Sequence, residues 1–164
     1  MPKPFVKIGI AVALTMSLSC FSQTTPANIQ NLYAAGGSYN FNASPSVAGT
    51  ALYAHLTTTT GTYAFTVVDA VPTTVKPFRV TSNIGAGLAQ KMFTIHKISL
   101  YMPTAAGISW TGANVGWQWT GGGAATIPLK HSFYLMPTVR FLKSSVSGGS
   151  GYQPMFSLLF GFGS

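Results

Sequence analysis

Asp69 is the only acidic residue in this 164-residue chain, which contains no glutamate. General acid–base catalysis by two carboxylates is therefore excluded. A Ser-His-Asp set could use only Asp69 with His55, His96 or His131, and no Gly-x-Ser-x-Gly elbow is present. The sequence therefore predicts no catalytic residues and no enzymatic activity.

Metal and cofactor sites also lack a motif in this sequence. The three histidines have no metal-ligand spacing, and Cys20 is the single cysteine. No glycine-rich phosphate loop followed by Lys and Ser or Thr is present. Lone histidines on strands are more often hydrogen-bonding interior residues than metal ligands. We therefore predict no metal and no cofactor.

Basic residues outnumber the single acid and give the chain a net charge of +8. Nucleic-acid binding would need these bases clustered with aromatic residues, whereas here they are scattered, which argues against such a partner. Several of the basic residues stand where strands are expected to end. Basic side chains at such positions in membrane proteins extend toward the lipid head groups. Those that follow residue 22 are Lys76, Arg79, Lys91, Lys97, Lys130, Arg140 and Lys143.

The first residues have the pattern of an export signal. Lys3 and Lys7 come at the start, an apolar run covers residues 8–18, and small residues follow. We predict a signal peptide over residues 1–22 that directs the chain to export and to the cell outer membrane.

Two other interpretations of this segment are weaker. The apolar run is short for a membrane anchor. Lipid attachment at Cys20 usually requires Leu three places before the cysteine and Gly or Ala directly before it, where this chain has Ser17 and Ser19. The remaining chain then divides into a short polar lead-in over 23–30 and a single β-barrel domain over 31–164.

Large apolar side chains alternate with small or polar ones after residue 30, which is the period of β-strands. Glycine, proline and threonine recur too often for long helices. The alternation predicts eight strands, at about 31–41, 47–56, 62–70, 78–88, 92–102, 114–119, 131–143 and 151–164. The register of the fifth strand stays undetermined.

Turn-forming residues predict the connections between these strands. Residues 57–61 predict a tight turn and 71–77 a loop, while 103–112 predict a loop or a bulged strand end. The glycine runs at 121–123 and 148–151 predict turns, with strand pairing resuming near residue 126.

The last strand shows the clearest alternation in the chain. Its alternate positions hold Tyr152, Phe156, Leu158, Phe160 and Phe162. A strand with such an apolar face would favour aggregation in water, but it suits a closed barrel whose outer face meets lipid.

The fourth and third strands lead to more specific expectations. Alternation places Ile84 and Leu88 toward lipid, and Asn83 and Arg79 toward the interior. On the third strand Asp69 shares a face with Tyr63, Phe65 and Val67. If that face meets lipid, Asp69 lies beyond the hydrocarbon zone, because a buried unpaired carboxylate is too costly. It is then either a solvated rim residue or a partner of Arg79.

Composition decides between a membrane barrel and a soluble one. Only 6% of the residues are charged, where a soluble domain carries about a quarter. The second face of the strands is small and polar, which suits the filled interior of a narrow barrel. We therefore predict an all-β, eight-stranded antiparallel up-and-down transmembrane β-barrel without an open pore. Its aromatic girdles are expected from Tyr33, Tyr39, Phe41, Tyr63, Trp110, Trp117, Trp119, Tyr134 and Tyr152.

From Asn31 to Phe162 the chain resembles the small eight-stranded outer-membrane barrels, the class of the OmpA transmembrane domain and OmpX. Phe156, Leu158, Phe160 and Phe162 match the alternating aromatic residues by which the assembly machinery recognises that class. The chain departs from it by ending in Gly163-Ser164 and by lacking the carboxylates that commonly pair inside such barrels.

The resemblance implies outer-membrane lipid and the barrel assembly machinery as partners. The role expected from this resemblance is structural or at the surface. A more specific role does not follow, because fold alone does not select a function. A secreted soluble β-barrel or β-sandwich that binds a ligand or surface, and a narrow conduit for small apolar molecules, are the alternatives. The oligomeric state stays undetermined.

Overall fold

Eight β-strands account for most of the chain in the computed structural model, which describes residues 29–41, 46–58, 60–72, 79–129, 131–146 and 152–164. They are β1 Asn31–Asn40, β2 Ser46–Leu56, β3 Thr62–Pro72, β4 Val80–Ile95, β5 Ile98–Thr111, β6 Asn114–Pro128, β7 Phe133–Ser144 and β8 Gln153–Gly163. Each strand pairs antiparallel with its sequence neighbours, and β1 pairs with β8 to close a barrel. The predicted eight-stranded antiparallel up-and-down barrel is confirmed.

Pairing between the first and last strands closes the sheet and leaves it without a free edge. The β1–β8 ladder runs from Leu32 opposite Gly163 to Asn40 opposite Met155. The backbone N–H of Gln30 donates to the carbonyl oxygen of Ser164 at 2.9 Å, which extends the closure beyond the ladder. The predicted signal peptide over 1–22 and most of the lead-in over 23–30 lie outside the described residues.

The two ends of the barrel differ in what they carry. β1 begins and β8 ends at one end, called here the terminal end, where β2 is also followed by β3, β4 by β5, and β6 by β7. The opposite end, called the loop end, carries the other connections. The predicted turn at 57–61 is confirmed as a connection, and Gly61 there has a φ of 87°, which glycine adopts without strain.

Alternation on β8 points the predicted apolar face outward. Phe156, Leu158 and Phe160 are exposed, whereas Ser157 and Leu159 are buried in the interior. The phases predicted for β1, β6 and β7 agree with the structure in the same way. The outward assignments of Ile84 and Leu88 and the inward assignment of Asn83 are also confirmed.

Strand β3 has the opposite orientation from the one expected for an apolar face. Tyr63, Phe65 and Val67 are buried inside the barrel, while Thr66 and Val68 are exposed on the outside. Asp69 lies on the same face of β3 as these three apolar residues, because alternate residues of a strand point to the same side. If the carboxylate faces the interior, the three apolar side chains must face it too. The expectation that the apolar face of β3 meets lipid is therefore wrong.

The β4–β5 hairpin explains why the fifth register was undetermined. The predicted fifth strand at 92–102 spans the end of β4, a turn at His96 and Lys97, and the start of β5. The β4–β5 register shifts between Lys91 and Phe93. A bulge inserts one residue and reverses which side chains face inward, so no single alternation fits the segment.

Two stretches of uncertain or turn-like sequence are strand. Of the two alternatives for 103–112, a loop or a bulged strand end, the structure has strand, since most of the stretch belongs to β5, and the glycines at 121–123, predicted as a turn, lie within β6. A Cβ on Gly122 would lie 2.0 Å from the carbonyl oxygen of Val139, so glycine allows close approach of β7 here rather than a turn. The second glycine run, at 148–151, lies outside the described residues, as does most of the loop predicted at 71–77, whose Val71 and Pro72 end β3.

Candidate functional site in the barrel interior

A row of polar side chains crosses four neighbouring strands inside the barrel. Thr50 on β2 is the cross-strand partner of Asp69 on β3, Asp69 of Asn83 on β4, and Asn83 of Ser109 on β5. All four residues are buried. The strand pairing therefore brings residues from distant parts of the sequence to one level of the interior.

Asp69 forms a buried ion pair with Arg140. Arg140 Nη2 donates to Asp69 Oδ1 at 2.7 Å and Arg140 Nη1 donates to Asp69 Oδ2 at 3.2 Å. The side chain of Asp69 is 1% exposed and that of Arg140 is 7% exposed. β3 and β7 are four strands apart in a ring of eight, so the pair spans the barrel from one wall to the other. Two parallel N–H···O bonds are the strongest geometry for this pair of groups.

Hydroxyl groups complete the surroundings of the ion pair. Thr50 Oγ1 donates to Asp69 Oδ1 at 2.6 Å, and Ser38 Oγ donates to Ser157 Oγ at 2.6 Å. Arg140 Nη2 lies 3.4 Å from both Thr50 Oγ1 and Ser157 Oγ. These five residues form one connected group, called here the ion-pair cluster. These hydroxyls supply hydrogen bonds to the pair beyond those between the two charges, which lowers the cost of burying it.

Both sequence-based interpretations of Asp69 are wrong. It is not a solvated rim residue, and its ion-pair partner is Arg140 rather than Arg79, which is exposed just before β4. The prediction that Arg79 faces the interior is also wrong. Arg140 could have been suspected from its position on the polar face of β7, but alternation alone did not show which strand lies opposite.

Several buried polar atoms across the barrel lack a hydrogen-bond partner among the described residues. The amide of Asn83, the hydroxyl of Ser109 and the amide of Gln118 are examples. The hydroxyls of Thr120 and Thr138 and the Nε of Arg140 belong to the same set. Buried polar groups are costly without partners, so these atoms mark the level of the interior where hydrogen bonding is least complete.

An apolar cavity of about 60 Å³ lies in the interior between the ion-pair cluster and the terminal end. Leu32, Phe65, Met136 and Leu159 form its walls, and Thr138 and Arg140 also border it. Toward the terminal end the cavity is bordered by Ile29 and the two rings of Tyr63 and Tyr101, whose centroids are 5.6 Å apart in an edge-to-face arrangement. The Tyr63 hydroxyl donates to the carbonyl oxygen of Ile29 at 2.9 Å and ties the segment before β1 to the wall.

The histidines lie away from the interior. His55 is exposed at the end of β2, where its Nδ1 lies 2.9 Å from Asn31 Oδ1. His96 and His131 are exposed turn residues with φ values of 56° and 53°. The interpretation of these histidines as interior hydrogen-bonding residues is therefore wrong. Within the described ranges no group of three or more His, Cys, Asp or Glu side chains could hold a metal ion.

The outer surface carries most of the predicted girdle residues. Tyr33 and Tyr53 stack with centroids 4.9 Å apart near the terminal end, and Trp119 packs against Tyr152 at 5.9 Å near the loop end. Lys143 Nζ lies 5.3 Å from the centroid of the Tyr152 ring. Two of the nine predicted residues, Tyr63 and Tyr134, instead pack against the interior core. Among the described residues, no helix is long and apolar enough to cross a membrane.

Comparison of the chain with protein-family models, with curated proteins and with solved structures finds no match. Functional inference therefore rests on the barrel itself, on the chemistry of its two faces and on the interior site.

Proposed function

We propose that this protein is a small integral outer-membrane β-barrel with a structural or surface role and no catalytic activity. The observation that carries the proposal is a reversal of polarity between the two faces of the sheet. Val68, Ile84, Ile108 and Trp117 are successive cross-strand partners on the outside of β3 to β6, and all are exposed.

The residue next to each of these points inward and is polar. Asp69 follows Val68, Asn83 precedes Ile84, Ser109 follows Ile108 and Gln118 follows Trp117. All four polar neighbours are buried, and Asp69 is at most 1% exposed. A soluble barrel has the reverse arrangement, because its apolar side chains leave water and its charges stay in it.

The apolar surface extends around the whole barrel. Every strand contributes at least one exposed large apolar side chain, for example Tyr33, Tyr53, Val68, Ile84, Ile108, Trp117, Val139 and Phe160. A surface of this kind in water would drive association, whereas lipid is the solvent that such side chains match. A closed sheet leaves no unpaired backbone edge, which the hydrocarbon region requires.

The filled interior favours a structural or surface role over transport of polar solutes. The ion pair between Asp69 and Arg140 joins opposite walls, and buried hydroxyls surround it. Eight strands enclose just enough space for side chains, so no water-filled channel is expected at this level. The proposed partners are outer-membrane lipid and, during insertion, the barrel assembly machinery. No nucleic-acid partner is proposed.

Cell fractionation tests the location directly. We expect the protein in the outer-membrane fraction, resistant to carbonate extraction and shifted in gel mobility on heating. Recovery in the soluble fraction would overturn the proposal and favour a secreted soluble barrel.

The closing strand offers a second test, of assembly. Changing Phe160 and Phe162 to Ser removes two outward aromatic residues of β8, where the sheet closes. We expect unchanged expression but a lower membrane-inserted fraction. The matched control changes Val139 and Phe141 to Ser on the outer face of β7, which should reduce insertion less. Equal insertion of both variants would contradict the role of β8 in recognition.

A further inference from the structure

Two prolines interrupt the pairing of β6 with both of its neighbours. The pairs missing from the β5–β6 and β6–β7 ladders are Met102–Gly123, Pro103–Gly122, Ala125–Pro137 and Thr126–Met136. The register is the same before and after each gap, so pairing is lost there without a shift. Apart from the shift after Lys91, the other six ladders are continuous over the described residues. Proline is tolerated mainly on edge strands, and a closed barrel has none.

The missing proline N–H groups both belong on the β6 side. The N–H of Leu129 donates to the carbonyl oxygen of Phe133 at 2.8 Å, which places Phe133 on the side of β7 that bonds to β6. Every second residue of a strand bonds to the same neighbour, so Pro137 is also directed at β6. Gly122, seven residues before Leu129, is directed the other way, toward Pro103 on β5. β6 therefore lacks one ladder hydrogen bond on each side.

The two gaps lie in the wall of the apolar cavity. Pro103, Thr126 and Met136 belong to the missing pairs, and all three line the cavity. On the outer side of the same wall Gly123 is exposed, and a Cβ at this position would have no atom within 4 Å. The wall between the cavity and the outer face is therefore thin here as well as weakly hydrogen-bonded.

The chemistry of the cavity decides which molecules it accepts. Leu32, Phe65 and Leu159 are typical of its lining, and the atoms that it exposes are almost all apolar. A polar molecule would lose its hydrogen bonds to water on entry and gain none, whereas apolar cavities in proteins bind apolar guests such as xenon. On the measure by which one water needs roughly 10–15 Å³, a volume of about 60 Å³ holds only a few non-hydrogen atoms.

We propose that the cavity binds small apolar molecules dissolved in the membrane, and that they enter sideways through the wall on either side of β6. Opening this wall breaks no ladder hydrogen bond from Pro103 or Pro137, because neither residue has an N–H to donate. The entry route rests on the proposed location in a bilayer, since only then does the wall face lipid. Binding in the cavity does not rest on that location, so fractionation results and binding results are independent.

Two methionines provide a reporter of binding and its control. Met136 borders the cavity, whereas Met155 is also buried but packs in a separate cluster with Ala48 and Leu142. In protein labelled with ¹³C at the methionine methyl groups and held in detergent micelles, xenon at rising pressure should shift the Met136 resonance saturably and leave Met155 unchanged. Equal, unsaturable shifts of both resonances, or no shift of Met136, would overturn the proposal.

The preference for apolar guests is tested with two molecules that have the same number of non-hydrogen atoms. At equal mole fraction in the micelle, n-butane should shift the Met136 resonance saturably and 1-propanol should not. Equal binding of the two would show that the cavity does not select apolar molecules.

The route is tested first by covering the wall. Gly123→Val adds a branched side chain to the outer face over the gap. Gly37→Val is the matched control, because Gly37 is also exposed with open space around its Cβ position, but β1 pairs without a gap on both sides. Exchange of xenon, measured from the line width of the Met136 resonance, should be slower in Gly123→Val than in Gly37→Val, with equal xenon affinity. Equal exchange rates in the two variants would overturn the lateral route.

The second test of the route restores the missing donor. Pro137→Val supplies an N–H on the β6 side, and one regained hydrogen bond should slow xenon exchange by about 2- to 10-fold. Pro154→Val makes the same change in β8, away from the gaps, and should leave exchange unchanged. Both variants should keep the gel mobility shift on heating, so that slower exchange is not mistaken for loss of the barrel. Unaltered exchange in a folded Pro137→Val protein would contradict entry beside β6.

Discussion

Strands β3 and β8 carry similar alternating patterns but present them to opposite sides of the same barrel. On β8 the aromatic residues Phe156, Phe160 and Phe162 face outward. On β3 Tyr63 and Phe65 face inward and help to line the apolar cavity. Alternation therefore identifies two faces of a strand, and something else decides which face is the interior.

On β3 the deciding residue is Asp69. Its partner Arg140 lies on the opposite wall, and only inward orientation of β3 lets the two charges meet. Turning β3 over would place the carboxylate on the apolar outer surface beside Ile84 and leave Arg140 buried without its counter-charge. That exchange is far more costly than placing two aromatic rings inside.

Cysteine labelling should give an all-or-none difference that tests the two orientations. In a Cys20→Ser background, a membrane-confined thiol reagent should label Val68→Cys and Leu158→Cys but not Val67→Cys or Leu159→Cys. The reason is that Val68 and Leu158 are exposed and their neighbours are buried. Labelling at position 67 instead of 68 would mean that the apolar face of β3 points outward, as that of β8 does.

Removing one partner of the ion pair should have the largest effect on stability. Arg140→Met leaves the carboxylate of Asp69 buried without a counter-charge, and we expect a loss of about 3–5 kcal/mol. Urea unfolding in lipid vesicles, followed by tryptophan fluorescence, measures it.

The exposed turn residue Lys97 provides the control for that experiment, since Lys97→Met should change stability by about 0.5 kcal/mol or less. In Asp69→Asn/Arg140→Met both charges are gone, so the double variant should lose less than the two single variants together. Additive losses would show that the ion pair does not hold β3 in place.

An arginine on the outer face tests whether that face meets lipid. Ile84 lies in the middle of the exposed apolar row, so Ile84→Arg should cost about 2–4 kcal/mol in a bilayer. Ile98, the first residue of β5, stands next to a turn, so Ile98→Arg should cost only about 0–1 kcal/mol. Small and equal costs at both positions would indicate an outer face in water.

The smallest expected effect concerns the loop end of the outer face, just before β8. Lys143 Nζ lies over the ring of Tyr152, and we expect a coupling of about 0.5–1 kcal/mol between them. A double-mutant cycle with Lys143→Met and Tyr152→Leu measures this term. Coupling below about 0.3 kcal/mol would match independent residues and show that Lys143 and Tyr152 do not stabilise each other.

The amino-acid sequence by itself determined the strand content and the phase of most strands. Where one face is aromatic and the other small or polar, as on β1, β6, β7 and β8, spacing alone identified the outward side chains. The closing role of β8 followed from the same local property. These features depend on residues two places apart, which a strand always separates onto one face.

Only the tertiary structure decided the features that depend on distant contacts. The β4–β5 register shifts between Lys91 and Phe93, and Gly122 allows close packing of β7 instead of forming a turn. Asp69 meets Arg140 across the barrel, 71 residues away in sequence. Such a pairing requires the sheet to close at a definite size, because only closure places β3 opposite β7. The cavity has the same origin, since its walls come from strands that meet only when the barrel is complete.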